Sequence, residues 1–197
     1  MSVKLSLLAL LVERPRHGYE LKSEFDRRTG NSWPLNIGQV YTTLDRLERD
    51  GLVTRGDEDP DGRVVYSITE QGRGEVRDWF ANPVVMSNPP RNELAIKIAL
   101  AVTLDGIDVA TLVQTQRRAS MAALQDYTRT KRGADPDDLA WHLIIERLIF
   151  DTEAELRWLD HCEAAAVRGT SRRRTAQQAA ARVAQPAVVR AVTGEQA

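Results

Sequence analysis

The chain has one cysteine, Cys162, in 197 residues. An internal disulfide and a multi-cysteine zinc site are therefore excluded. No apolar run reaches the ~18–20 residues that span a bilayer. The longest near the start, Leu5 to Val12, is interrupted by Ser6 and soon meets Pro15. It follows a lone Lys4 and lacks a small-x-small cleavage site, which argues against a secretory signal. An unexported, cytoplasmic protein is expected. The three histidines, His17, His142 and His161, are scattered, and no phosphate-cradling Gly-rich loop is present. His161 and Cys162 are adjacent, so on a helix they point ~100° apart and do not converge on one substrate atom. No catalytic constellation, cofactor or metal site is expected, and the chain does not read as an enzyme. A bulk basic field is missing too: the net charge is −1. Residues 1–90 hold 12 Lys/Arg against 14 Asp/Glu, and residues 91–167 hold 9 against 13. Only residues 168–197, with 6 against 1, are basic. Any contact with nucleic acid must use local basic groups or that tail.

What is present is ordinary for a globular protein: 42% hydrophobic and 28% charged residues. The length suits one medium domain or two small ones. Two composition shifts divide the chain: the Pro/Asn segment Asn82–Pro90, and the point after Val167 where aromatics cease and Ala, Arg and Gln dominate. The expected organisation is a domain over 1–82, a linker over 83–90, a helical unit over 91–167 and a disordered tail over 168–197.

In the first part, Leu5, Leu8, Leu11 and Val12 have helical spacing. A second helix starts near Tyr19 and stops at Gly30. Asn36 can cap a third, in which Ile37, Val40, Leu44 and Leu47 make one buried face before Gly51 ends it. Two β-prone runs, Leu52–Arg55 and Arg63–Ile68, flank a Gly/Asp/Pro turn. Thr69 then caps a fourth helix with Val76, Trp79 and Phe80 on its apolar side. Three helices, a hairpin and a helix spell a winged helix-turn-helix. The fold class expected is mainly α with a small β-hairpin, the winged domain being followed by a C-terminal arm of long helices.

The outward face of the third helix carries Gln39, Thr42, Thr43 and Arg46, with Tyr41 at its flank. Gln pairs with adenine, Thr touches a thymine methyl, and Arg reaches guanine or phosphate. Tyr41, and the helix end near Tyr19, can hold phosphate oxygens. The same residues also fit a plain solvated helix face.

Three segments carry a resemblance: His17–Leu21, Gly38–Val53 and Arg63–Gly72. In this order and spacing the first 80 residues resemble the PadR family of bacterial transcriptional regulators. Asn92–Ile98 and Trp158–Leu159 are more loosely similar to its helical C-terminal part. The resemblance implies a dimeric winged-helix repressor of an inverted-repeat operator in double-stranded DNA. The reading residues would be Gln39, Thr42, Thr43 and Arg46, with Tyr19, Tyr41, Arg55 and Arg63 on the backbone. Some regulators of this kind bind aromatic effectors, for which Trp79, Phe80, Trp141 and Trp158 are the candidate stacking rings. One departure stands out. Asp57, Glu58, Asp59 and Asp61 at the wing tip repel phosphate. Either the tip projects away from the duplex, or only Arg55 and Arg63 at its base touch it; the second is preferred.

In the second part, Asp105 can cap a helix to about Arg132 with Val109, Leu112, Val113, Ala119, Ala123, Leu124 and Tyr127 as its apolar set. A last helix, from about Asp137 to Ala166, repeats Trp141, Ile145, Leu148, Thr152, Leu156, Leu159, Cys162 and Ala166. Stripes this long exceed what the winged domain covers and point to a homodimer, the alternative being a bundle within a monomer. The tail arginines either add phosphate affinity or are inert. The alternative to a DNA reader is a winged helix used for protein docking.

Overall fold

The computed structural model describes residues 3–58, 62–85 and 90–184. Its backbone divides into two compact units, 1–90 with 126–150, and 91–125 with 151–197. In the first, the elements run α1 (Val3–Glu13), β1 (Arg16–His17), α2 (Gly18–Arg28), α3 (Ile37–Arg49), β2 (Val53–Glu58), β3 (Val64–Ile68) and α4 (Glu70–Ala81). Then come α5 (Glu93–Ala101), α6 (Val109–Arg132) and α7 (Leu139–Ala184). The two long helices each pass from one unit to the other.

The winged core forms where α1 to α4 and the sheet bury Leu7, Leu8, Leu11, Leu21, Val40, Leu44, Leu47 and Val76. The first helix buries more than the expected stripe: Leu7 and Leu10 are inside, while Val12 is 37% exposed. Ile37, expected in the buried face of α3, is also 37% exposed, because it sits at the first position of the helix. Asn36 caps α3 by accepting from Gly38 N–H at 2.8 Å. Gly51 ends it at φ 72°, a conformation that favours glycine. The hydroxyl of Thr69 donates to Gly51 O at 2.8 Å and accepts from Gly72 N–H at 3.1 Å, so one residue ties the end of α3 to the start of α4.

The sheet is larger than the expected hairpin. It has three antiparallel strands in the order β1-β3-β2, with Arg16 opposite Tyr66 and Val53 opposite Ile68. A two-residue strand has too little periodicity to be read from sequence. β2 also runs on to Glu58, taking in residues expected in the turn, with a register irregularity between Arg55 and Glu58.

One helix cap differs from expectation, and two others had no sequence signal. α2 is capped by His17, which accepts from Glu20 N–H while Glu20 accepts from His17 N–H, each at 3.2 Å. α6 is capped by Asp108, not Asp105: its carboxylate accepts from Ala110 N–H at 3.0 Å and from the Thr111 hydroxyl at 2.5 Å. α7 is capped by Asp138, which accepts from Trp141 N–H at 3.1 Å. That helix continues past Val167 to Ala184, where a tail was expected; residues 185–197 lie outside the described residues. Ala-, Arg- and Gln-rich sequence has high intrinsic helix propensity, which lets a helix run on without an apolar stripe. On α6, Ala119 is exposed, and the neighbouring Ser120 is buried instead, donating to Glu155 at 2.5 Å.

Candidate nucleic-acid interface

α3 is fixed from below by Val40, Leu44 and Leu47, all at 0% exposure. Helical geometry then forces Gln39, Thr42, Thr43 and Arg46 to the other side. Gln39, Thr42 and Arg46 are exposed and Thr43 is partly so. Each threonine hydroxyl donates back along the helix, Thr42 to Gly38 O at 2.9 Å and Thr43 to Gln39 O at 2.7 Å. Their methyl groups and remaining lone pairs are what the face offers.

Tyr41 is 43% exposed, and its ring lies across the start of α2. A Cβ at Gly18 would sit 2.7 Å from its Cε1, so only glycine admits this approach. Tyr19, at the same end, is 65% exposed. The capping box already uses the His17 and Glu20 amides, leaving those of Gly18 and Tyr19 from the first turn. Burial raises the Glu20 carboxyl, but hydrogen bonds from His17 N–H and Arg14 outweigh it and hold the group below its ordinary value. The helix end thus carries its own anion.

Arg55 and Arg63 are both exposed, at the base of the wing. Arg55 lies 3.9 Å from Glu58, a distance that leaves the guanidinium largely to solvent. Asp57 and Glu58 are exposed at the end of β2; Asp59 and Asp61 lie outside the described residues.

The four aromatic candidates do not gather. Trp79 and Phe80 pack on each other with centroids 4.9 Å apart, and Phe80 is 73% exposed rather than on the buried side of α4. Trp141 lies on Gly30. Trp158 packs with Ile98, Val113 and Leu159. In the second unit a cleft of about 880 Å³ opens between the α5–α6 connection and α7, lined by Ile98, Leu104, Ile107, Val109, Cys162 and Ala166 among others. None of the four rings lines it. Cys162 is half-buried, and burial pushes its thiol up, so it is a poor nucleophile. Among the described residues no cluster of three or more His, Cys, Asp or Glu could hold a metal, and no helix is long and apolar enough to cross a membrane.

Sequence reasoning missed a further apolar stripe. Leu139, Leu143 and Phe150 on α7 are 67%, 58% and 61% exposed. Their spacing of four and seven places them on one face. On α5, Ile96 and Leu100 are likewise exposed. The same periodicity that marks a buried stripe marks these, and only the packing tells which stripe is covered.

A helix with an open polar face, carried by a winged trihelical core, is the arrangement of a DNA-binding winged helix-turn-helix protein. Residues 7–78 match the model of the transcriptional regulator PadR-like family, and residues 90–166 match that of the virulence activator alpha C-term. The probable transcriptional regulator Rv1176c of Mycobacterium tuberculosis is 30% identical over 179 residues, covering 81% of this chain and 95% of that protein. The negative transcriptional regulator PadR of Bacillus subtilis is 22% identical over 170 residues, covering 80% and 93%. The structure of Bacillus subtilis PadR with operator DNA aligns with a TM-score of 0.65 at 19% identity, covering 84% of this chain and 99% of that one. Its complex with p-coumaric acid gives 0.67 at 21%, again covering 84% and 99%. The chain belongs to the PadR-like family of transcriptional regulators. It is a DNA-binding regulator of transcription.

Proposed function

We propose that the protein is a homodimeric, cytoplasmic repressor that binds an inverted-repeat operator and leaves it when a small molecule binds. The observation that carries this reading is the face of α3, where Gln39, Thr42, Thr43 and Arg46 stand open above a fully buried apolar side. Gln39 and Arg46 supply side chains that pair with purine edges, and the two threonines supply methyl contact. Tyr19, Tyr41, Arg55 and Arg63 surround that face as backbone contacts. Repression is supported by the relative named as a negative regulator.

Self-association is supported by the uncovered stripes on α7 and α5. A twofold dimer presents two reading helices to half-sites one DNA turn apart. Effector release is supported by the largely apolar cleft, whose size suits a drug-sized ligand. The effector role of Trp79, Phe80, Trp141 and Trp158 finds less support, since those rings are dispersed. No catalytic role is proposed.

The test is titration against the protein's own upstream DNA and a scrambled duplex at two salt concentrations, with mass measured in the same buffer. Tight, salt-sensitive binding by a dimer with preference over the scramble is expected. Thr43→Ala and Gln39→Ala should alter sequence preference with little loss of stability. Equal loss on specific and random DNA would count against base reading. Salt-insensitive capture of a protein instead of DNA would favour a docking role.

A further inference from the structure

The turn of the helix-turn-helix is not held by the winged core alone. α2 ends in a doubly hydrogen-bonded cap: Gly30 N–H donates to Arg27 O at 3.1 Å and Asn31 N–H to Asp26 O at 2.7 Å. Both residues take positive φ, 54° and 57°. The Trp141 indole, from the first turn of α7, lies directly on this cap. A Cβ at Gly30 would fall 2.0 Å from ring carbons Cε3 and Cζ3. Glycine is thus favoured at this position by its dihedral angle and, more strongly, by the ring.

A second contact lies beside the first. The Asp138 carboxylate that caps α7 through Trp141 N–H also reaches Arg27 Nη1 at 3.5 Å. Arg27 is more than half exposed, so this pair adds direction more than strength. The cap in turn governs α3. Asp26, whose backbone carbonyl closes it, accepts Leu35 N–H through its side chain at 3.0 Å and Lys22 Nζ at 2.6 Å. Leu35 is 5% exposed, and the next residue, Asn36, is the cap of α3. A continuous line therefore runs from the Trp141 ring through Gly30 and the adjoining Asn31 to Asp26 and Leu35, and so to the first turn of α3.

We propose that Trp141 is a positioning residue for DNA reading: its ring, seated on Gly30, fixes the α2–α3 turn and the reading helix to the first turn of α7. The proposal deepens the operator reading above and rests on it. A dimer built through the later turns of α7 would then hold its two reading helices at a set separation, and Trp141 would set how strictly that separation is kept.

The experiment uses the full chain as wild type, Trp141→Ala and Trp141→Phe. Duplexes carry the operator half-sites at the preferred separation and displaced by one to three base pairs. Trp141→Ala should bind the preferred duplex about tenfold more weakly while its affinity for displaced duplexes changes less than about twofold. Trp141→Phe, which keeps a flat ring on Gly30, should restore most of the spacing preference. Hydrogen exchange gives a reading without DNA: amides of Asn31 and Leu35 should exchange faster in Trp141→Ala, with those around Leu44 unchanged. The same loss at every spacing, or unaltered exchange across 30–36, would overturn the proposal. If the wild type prefers no DNA sequence, the operator reading fails, and exchange alone decides whether the ring holds the turn.

Discussion

The winged core and the core of the second unit are built on different terms. Fourteen side chains form the buried cluster of the first, from Leu7 to Val76. In the second, among the described residues, the corresponding cluster is Ile98, Val113 and Leu159, with Leu94, Val109, Leu112, Trp158 and Cys162 partly covered around it. Ile96, Leu100, Leu104 and Ile107 of that unit remain exposed. At ~25 cal/mol per Å² of apolar area, a cluster of three buried side chains supplies little towards the ordering of so many residues. The winged core is closed by its own residues, whereas the second unit, like the Leu139, Leu143 and Phe150 stripe of α7, leaves apolar faces for the proposed dimer to cover.

The sharpest way to break this contrast is to change a buried side chain of the winged core and, separately, the exposed apolar stripes. Leu44→Ala deletes a fully buried group and should cost about 2–5 kcal/mol, read from urea denaturation, without changing the mass of the native species. Leu100→Asp in the second unit, and Leu143→Asp on the uncovered stripe that α7 carries within the first, remove no fully buried side chain, since both are more than half exposed. Each should leave helix content intact and shift the protein from dimer to monomer on sizing with light scattering. An unchanged mass for both would show that these stripes face solvent in the working protein.

Smaller effects sharpen the picture. Ser120 bridges α6 to Glu155 on α7, and Glu155 also accepts from Gln116 Nε2 at 3.1 Å. Ser120→Ala removes one donor to a half-buried carboxylate and should cost about 1–2 kcal/mol by thermal melting. Loss of stability greater than that of Leu44→Ala would reverse the ranking of the two regions.

The smallest effect is acid sensitivity confined to α2. Arg27 donates to Glu24 and lowers its carboxyl; burial opposes, Arg28 adds to the lowering, and the group falls from an ordinary 4.5 to about 2. A depressed carboxylate stabilises above its unfolded value and loses that contribution as pH falls through the folded one. Glu24→Gln should therefore melt a few degrees below wild type at neutral pH, with the gap closing between about pH 4.5 and about pH 2. A gap independent of pH would mean that packing, not charge, holds Glu24.

The contrast between the regions also explains what could be read in advance. In the winged part, periodicity, caps and turn residues agree: Asn36, Thr69 and Gly51 stand where the structure uses them. The outward set of α3 followed from its buried set by geometry alone. What escaped there were features without period, such as the two-residue β1 and the imidazole cap of His17. In the long helices, apolar residues recur on more than one face, so Ile145 was legible as buried while Leu143, two residues earlier, was not legible as exposed. The Trp141 contact was out of reach for a plainer reason: residues 30 and 141 meet only once the chain has folded, and neither carries a local signal of the other.

The hydroxyls of Thr42 and Thr43 have a consequence for the operator itself. Each has a single proton, already given to a carbonyl of its own helix. Such a side chain has nothing to donate to a guanine edge, whose O6 and N7 both accept; it offers a methyl to thymine and lone pairs to the amino groups of adenine or cytosine. If α3 reads the operator as proposed, half-sites selected from random DNA should therefore be rich in A·T pairs beneath the two threonines, with guanine confined to positions within reach of Arg46. Valine in place of Thr42 or Thr43 would keep most of that alphabet, and serine would lose the letter that the methyl spells.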